Sequence, residues 1–433
     1  MHISRVSAYR FLALAIALAA ASLTSIAAAA GQVAPAAATD TANTALIPHA
    51  AWNCQMADGI PFPDAGKLVF EIDMKIDQAY DVGMTPYGKR DVYVIQGGTV
   101  KGAKIDATVM SGSLDYQLTL ANGVVEIEQI LVWRTSDNRY IYMRQAGVGA
   151  SARDVRVVMD MEAPNGSATE WVNTGKYVAR RVLNAAAKTL KMSVYDVGGV
   201  TLDAAKSVKI AKPAGVPTQP WDYRIAAATE RQGEILATEN VTLGGGQSVG
   251  ASKRGNRNVL PITGGTLTGG LIPGKVLPGG ADYQNLSQAP TIDAHYLWQT
   301  TEGDIIIVRN AGGGGGGRGG ARGPGGPAAP GGPGAARGPG GPAAPGGPGA
   351  ARGPGGPAAP GGRGAARGPG GPAAPGGPGA ARGGGGGGGG GLVPYFEVRI
   401  DSKYAWLNSG KYLSSPPGMG AGGVSLTFYK SVE

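Results

Sequence analysis

The chain has 433 residues, 42% hydrophobic and 16% charged, enough for more than one buried core. Its formal charge of +9 invites a polyanion partner, but seven arginines and no acid lie between Ala311 and Gly391, and Arg5 and Arg10 supply the rest. The remainder is electrically balanced, which argues against a nucleic-acid or anionic-lipid face, and the single cysteine, Cys54, excludes an intrachain disulfide.

In chain order, Arg5 and Arg10 precede an apolar run from Phe11 to Ala21 and small residues ending at Ala30. That pattern predicts a secretory signal peptide over residues 1–30, hence an exported, periplasmic or secreted protein. No later stretch approaches the roughly 20 apolar residues of a membrane span. Residues 31–65 read as a lead-in, 66–198 as a first repeat, 199–232 as a linker with Pro213, Pro217 and Pro220, and 233–433 as a second repeat.

The repeat is visible directly. Gly97-Gly98-Thr99 returns as Gly264-Gly265-Thr266 and Asp115-Tyr116-Gln117 as Asp282-Tyr283-Gln284, both 167 residues on. The offset then becomes 165, pairing Trp133 with Trp298 and Arg144 with Arg309, and later 235, pairing Trp171, Asn173 and Tyr177 with Trp406, Asn408 and Tyr412. The jump of 70 is an insert, residues 311–391, built on a 15-residue Gly/Pro/Ala/Arg unit starting at Gly323, Gly338, Gly353 and Gly368. Lacking side chains to bury, it is expected to be disordered, either as an expanded surface loop or as a sticky arm for polyanions or cell-wall polymer.

Within each repeat, short β-branched and aromatic runs such as Val92–Ile95, Ile105–Val109 and Tyr140–Met143 alternate with Gly, Asn, Asp and Pro. Val178 to Leu190 could instead form a short helix. The spacing predicts an all-β fold of antiparallel sandwiches or barrels, one per repeat.

Four ordered motifs carry a family resemblance: PITGGT at 261–266, LPGGADYQ at 277–284, VRNAG at 308–312 and YAWLN at 404–408, with VGMTPYGKR at 82–90 and QGGTVKG at 96–102 in the first repeat. Together they resemble the small β-barrel family named domain of unknown function 3237. The resemblance implies two tandem antiparallel calycin-like β-barrels, the second interrupted by the insert, and no established activity. Each repeat departs from the pattern: MSGSLDYQ stands in the first where LPGGADYQ is expected, and ASKRGNR in the second where TPYGKR is expected.

Candidate site residues follow from the repeat. Asp115 with Arg144, and Asp282 with Arg309, would place a carboxylate opposite a guanidinium if barrel closure joins them, either as a polar anchor or as a structural ion pair. Tyr283 and Gln284 flank Asp282, and Asn310 follows Arg309. His295 replaces Ile130 of the first repeat; facing the lumen it could transfer protons, and otherwise it is a packed strand residue. Trp298, Trp171 and Trp406, with Asn408, are candidates for pocket walls or for core. Two motif matches are set aside. Gly246-Gln247-Ser248-Val249-Gly250 lacks the strand-turn-helix setting of a nucleophile elbow, and Gly269 to Lys275 is followed by Val276 where a phosphate loop needs Ser or Thr. Neither a zinc site nor another cofactor is indicated.

Three functions compete. The first is binding of a small, partly apolar or aromatic molecule in a lumen. The second is an acid-base enzyme of isomerase or hydro-lyase type using Asp282 and His295, and the third an envelope module acting through the insert. The two repeats are further expected to pack on each other. The second repeat, with its Pro-Gly-Gly-Ala-Asp segment, His295 and Asn310, carries the divergence.

Overall fold

The computed structural model describes residues 59–153, 155–203, 224–287, 291–313, 392–420 and 423–433, with Trp52, Cys54, Met56, Val208, Gln219 and Pro220. The expected signal peptide and the 15-residue units lie outside the described residues.

In the first repeat the strands are β1 (Lys67–Thr85), β2 (Gly88–Gly102), β3 (Ile105–Val109), β4 (Leu114–Thr119), β5 (Val125–Thr135), β6 (Tyr140–Gly149), β7 (Val155–Glu162), β8 (Tyr177–Asn184) and β9 (Thr189–Asp196). Pairing runs β1-β9-β8-β7-β6-β5, continues through β3 and β4, which both bridge β5 to β2, and returns from β2 to β1. This antiparallel barrel has no free edge. The segment from Val178 to Leu190 forms β8, a turn and β9 rather than a helix: Ala179, Leu183, Leu190 and Met192 all join the barrel core, and tertiary burial overrides local helical preference.

The second repeat comprises β10 (Arg231–Leu243), β11 (Gln247–Ser252), β12 (Gly255–Thr268), β13 (Gly274–Val276), β14 (Ala281–Asn285), β15 (Thr291–Thr300), β16 (Ile305–Gly313), β17 (Val393–Glu397), β18 (Tyr412–Ser414), β19 (Gly418–Gly420) and β20 (Gly423–Val432). Its sheet follows the same order, with the counterpart of β1 split into β10 and β11, an added β19 on β20, and no ladder between β17 and β18. Ser414 N and Oγ both donate to the carbonyl of Leu392, the residue before β17. In the first repeat the same seam, β7 to β8, holds a ladder from Val155–Arg181 to Met159–Tyr177. Pro416 and Pro417 follow β18 and offer no N–H, so the ladder cannot continue.

The two shared motifs are framework. At the Gly-Gly-Thr segment a Cβ on Gly98 would stand 2.1 Å from Asp73 O, and one on Gly265 2.3 Å from Asn240 O. Glycine is therefore required where β1 crosses β2 and where β10 crosses β12. In Trp-x-Asn, Asn173 clamps the backbone of Ala163 and Asn408 that of Val398, each amide accepting from the N–H and donating to the C=O.

Two sets of hydrogen bonds between the repeats are reciprocal. Arg90 on β2 donates to Glu397 on β17 at 2.9 Å, and Arg257 on β12 donates to Glu162 on β7 at 2.9 Å. Arg90 corresponds to Arg257 and Glu162 to Glu397 under the repeat offsets. The backbone does the same: Ile400 N donates to Met84 O at 2.8 Å and Asn165 N to Ala251 O at 2.9 Å, again corresponding residues exchanged. Such mutual exchange is the signature of an isologous contact, here within one chain.

Both arginine-glutamate pairs are buried. Arg257→Leu should therefore lower unfolding free energy by roughly 3–5 kcal/mol, because Glu162 is left buried without its guanidinium. The double variant Arg257→Leu/Glu162→Leu should recover most of that loss in urea denaturation.

Candidate functional site

Side chains at Asp115 and Asp282 point into their barrels, and the surroundings differ. In the first repeat Asp115, Gln129 and Gln145 lie side by side across β4, β5 and β6. Arg181 crosses from β8, its Nη2 2.5 Å from Asp115 Oδ1 and its Nε 3.2 Å from Oδ2, and Gln145 Nε2 donates to Gln129. Ile76, Ile127 and Leu190 seal this end, all buried.

The same register in the second repeat reads Asp282, Ala294 and Asn310 across β14, β15 and β16. Two glutamines have become an alanine and an asparagine, and Pro416, which is exposed, stands at the position of Arg181. Asp282 Oδ2 accepts from Gln284 Nε2 at 2.7 Å, and Gln284 in turn accepts from Asn258. Asp282 Oδ1 and both amide atoms of the fully buried Asn310 meet no hydrogen-bonding partner. Burial lifts the Asp282 carboxyl to about 6, with Gln284 pulling the other way and nearby Asp293 adding to the rise. Leu243, Ile292 and Val424, the counterparts of Ile76, Ile127 and Leu190, are only half-buried. The described residues cover this end of the second barrel less tightly than the equivalent end of the first.

The expected acid-arginine pairs do not form. Asp115 pairs with Arg181 and Arg144 lies 3.9 Å from Asp160. Arg309 reaches Glu128 of the first repeat at 2.7 Å and sits over the Tyr116 ring. The reason is the pleat: Asp282 and Arg309 project from opposite faces of the sheet. His295 is likewise on the outer face, opposite Arg309, and not in the lumen. It contacts Asp293 at 2.8 Å and packs edge-on against Tyr116 and Tyr283. Tyr283 shares that outer face. Asp282 and His295 thus cannot serve one lumenal reaction.

Among the other candidates, Trp298 is core, packed against Phe396 and Phe428. Trp171 and Trp406 flank the cores of their repeats, and Asn408 is the backbone clamp described above. Among the described residues, no three His, Cys, Asp or Glu side chains gather as a metal site, and no helix is long and apolar enough to cross a membrane.

The model of the family described as "Protein of unknown function (DUF3237)" matches residues 65–174 and 232–318, one stretch in each repeat. The chain thus resembles the DUF3237 family twice, in tandem. A UPF0311 protein of Rhodopseudomonas palustris (strain TIE-1) is 38% identical over 82 residues, 19% of this chain and 54% of that protein. The UPF0311 protein of strain ATCC BAA-98 / CGA009 is 35% identical over 82 residues with the same shares. The chain spans about half the length of these curated relatives. Among solved structures, a conserved protein of unknown function from Rhodopseudomonas palustris aligns at 22% identity, covering 30% of this chain and 95% of that one, with a TM-score of 0.28. A protein of unknown function from Clostridium acetobutylicum ATCC 824 aligns at 20% identity, covering 30% and 96%, also with a TM-score of 0.28.

One residue of the second repeat carries no motif signal. Glu239, fully buried in the core, accepts from Tyr296 Oη at 2.8 Å and from Trp298 Nε1 at 2.9 Å. Its counterpart is Ile72, and in the first domain Trp133 Nε1 has no partner. The available signal was an acid aligned with an isoleucine in the other repeat. Burial raises the Glu239 carboxyl from 4.5 to about 8 against the two donors.

A raised folded-state value means that Glu239 favours folding fully below pH 4.5 and loses that contribution as pH climbs toward 8. At roughly 1.4 kcal/mol per unit, the loss reaches several kcal/mol. Glu239→Gln should flatten this dependence, so its stability relative to the parent should rise between pH 5 and pH 8 in urea titrations.

Proposed function

We propose that the protein is exported and binds a small, partly apolar molecule at the less tightly covered end of the second barrel. The carrying observation is the contrast between equivalent ends. Ile76, Ile127, Leu190 and Asp115 are sealed in the first repeat, whereas Leu243, Ile292, Val424 and Asp282 are only partly buried in the second. The first three would line an apolar wall, and Asp282 with Asn310 would orient the polar end of the ligand. Export rests on the Arg5, Arg10 and Phe11–Ala21 pattern.

A second reading, general acid-base catalysis at the same place, draws support from Asp282 alone. A carboxyl lifted to about 6 exchanges its proton near neutrality, where such catalysis is most efficient. His295 has no part in it.

A thermal-shift screen of small metabolites against the full chain tests the binding reading. A true ligand at 100 times its Kd should stabilise the protein by about 2.7 kcal/mol. That gain should fall sharply in Ala294→Gln, which restores the first repeat's residue and refills the lumen. Hits indifferent to Ala294→Gln would move the site elsewhere.

A further inference from the structure

We infer that the less tightly covered end of the second barrel takes a small organic cation, a guanidinium or primary amine on a short apolar stem, whose head occupies the position that Arg181 fills in the first repeat. The inference rests on the binding reading above and names the ligand class. In the first repeat, the aspartate of the Asp-Tyr-Gln segment is met across the lumen by a guanidinium carried on β8, bonded through Nη2 and Nε. The second repeat keeps the aspartate and loses the arginine. Pro416 stands at that position, exposed, just beyond the last bond joining β18 to the Leu392 segment. The seam that lost its ladder is thus the one from which the guanidinium came.

Three further features fit a cation entering there. Asp282 Oδ1 lacks a partner, while Oδ2 holds Gln284. Asn310, on the same face two strands away across the small Ala294, presents its Oδ1 as an additional unpartnered acceptor. Leu243, Ile292 and Val424 supply half-buried apolar surface for a stem of a few methylenes. A carboxylate and a planar guanidinium form two parallel hydrogen bonds, the pairing the first repeat makes within its own chain.

The test uses the full chain and two isosteric probes, n-butylguanidinium and neutral n-butylurea, titrated by calorimetry. The expected result is at least tenfold tighter binding of butylguanidinium, lost in Asp282→Asn and lost again in Pro416→Arg, which supplies the missing guanidinium in cis. Both substituted positions are at least partly exposed, so folding, checked by circular dichroism, should survive. Equal binding of the two probes, or a guanidinium preference that persists in Asp282→Asn, overturns the cation assignment while leaving the pocket standing. Binding of neither probe, together with a metabolite screen indifferent to Ala294→Gln, overturns the pocket itself.

Discussion

Two buried arginine-glutamate pairs, Arg90 with Glu397 and Arg257 with Glu162, govern how much of this chain can vary. Each joins residues about 100 or 300 positions apart, and each arginine comes from the repeat that does not own the glutamate. A charge withdrawn from water is tolerated only with its partner in place, so neither repeat can lose its half without stranding the other's. The reciprocity doubles the constraint. Any shift that lengthened one pair would move the corresponding backbone exchange between Met84 and Ile400, or between Ala251 and Asn165. Tyr142 beneath Arg257 and Tyr116 beneath Arg309 add ring faces to the guanidinium planes.

This contact explains which parts of the fold were legible in the sequence. The duplication, the glycine pair and the Trp-x-Asn clamp are local, and each has a backbone reason that any copy must satisfy. Pairing of the charged residues was not legible. Strands β5 and β6 are buried on both faces along nearly their whole length, so hydropathy does not alternate and cannot say which parity faces the lumen. A one-residue error in face assignment exchanges every partner. It sent Arg309 toward Asp282 and His295 into the lumen, when both lie against Glu128 and Tyr116 of the other repeat. Arg181, with no arginine at its counterpart, left no duplicated signal to find.

Glu239 shows the complementary lesson. Strand β10 buries Leu236, Ala237 and Val241 together with Glu239, an acid that its own strand does not explain. Its explanation lies in Tyr296 and Trp298, more than fifty residues away. The indole N–H at this place in the first repeat has no acceptor, so the second repeat has satisfied one buried donor by introducing one buried acid. Both solutions carry a free-energy penalty. They differ in how it responds to pH.

The same contact bears on how the second barrel, and not the first, tolerates a seam without a ladder. Strand β17 has lost its ladder to β18, and a strand with one free side is prone to fray. Yet Glu397 on β17 is held by Arg90, and Ile400, three residues on, by Met84. The first repeat thus anchors the strand that borders the unladdered seam, from outside the lumen. The first barrel is closed and sealed, with Arg181 neutralising Asp115, and it supplies the rigidity. That support lets the second barrel give up a ladder, an arginine and two glutamines beside Asp282 while keeping its remaining strands in register. A single barrel that lacked the same groups would have no such brace, and the broken seam would come at the expense of the fold.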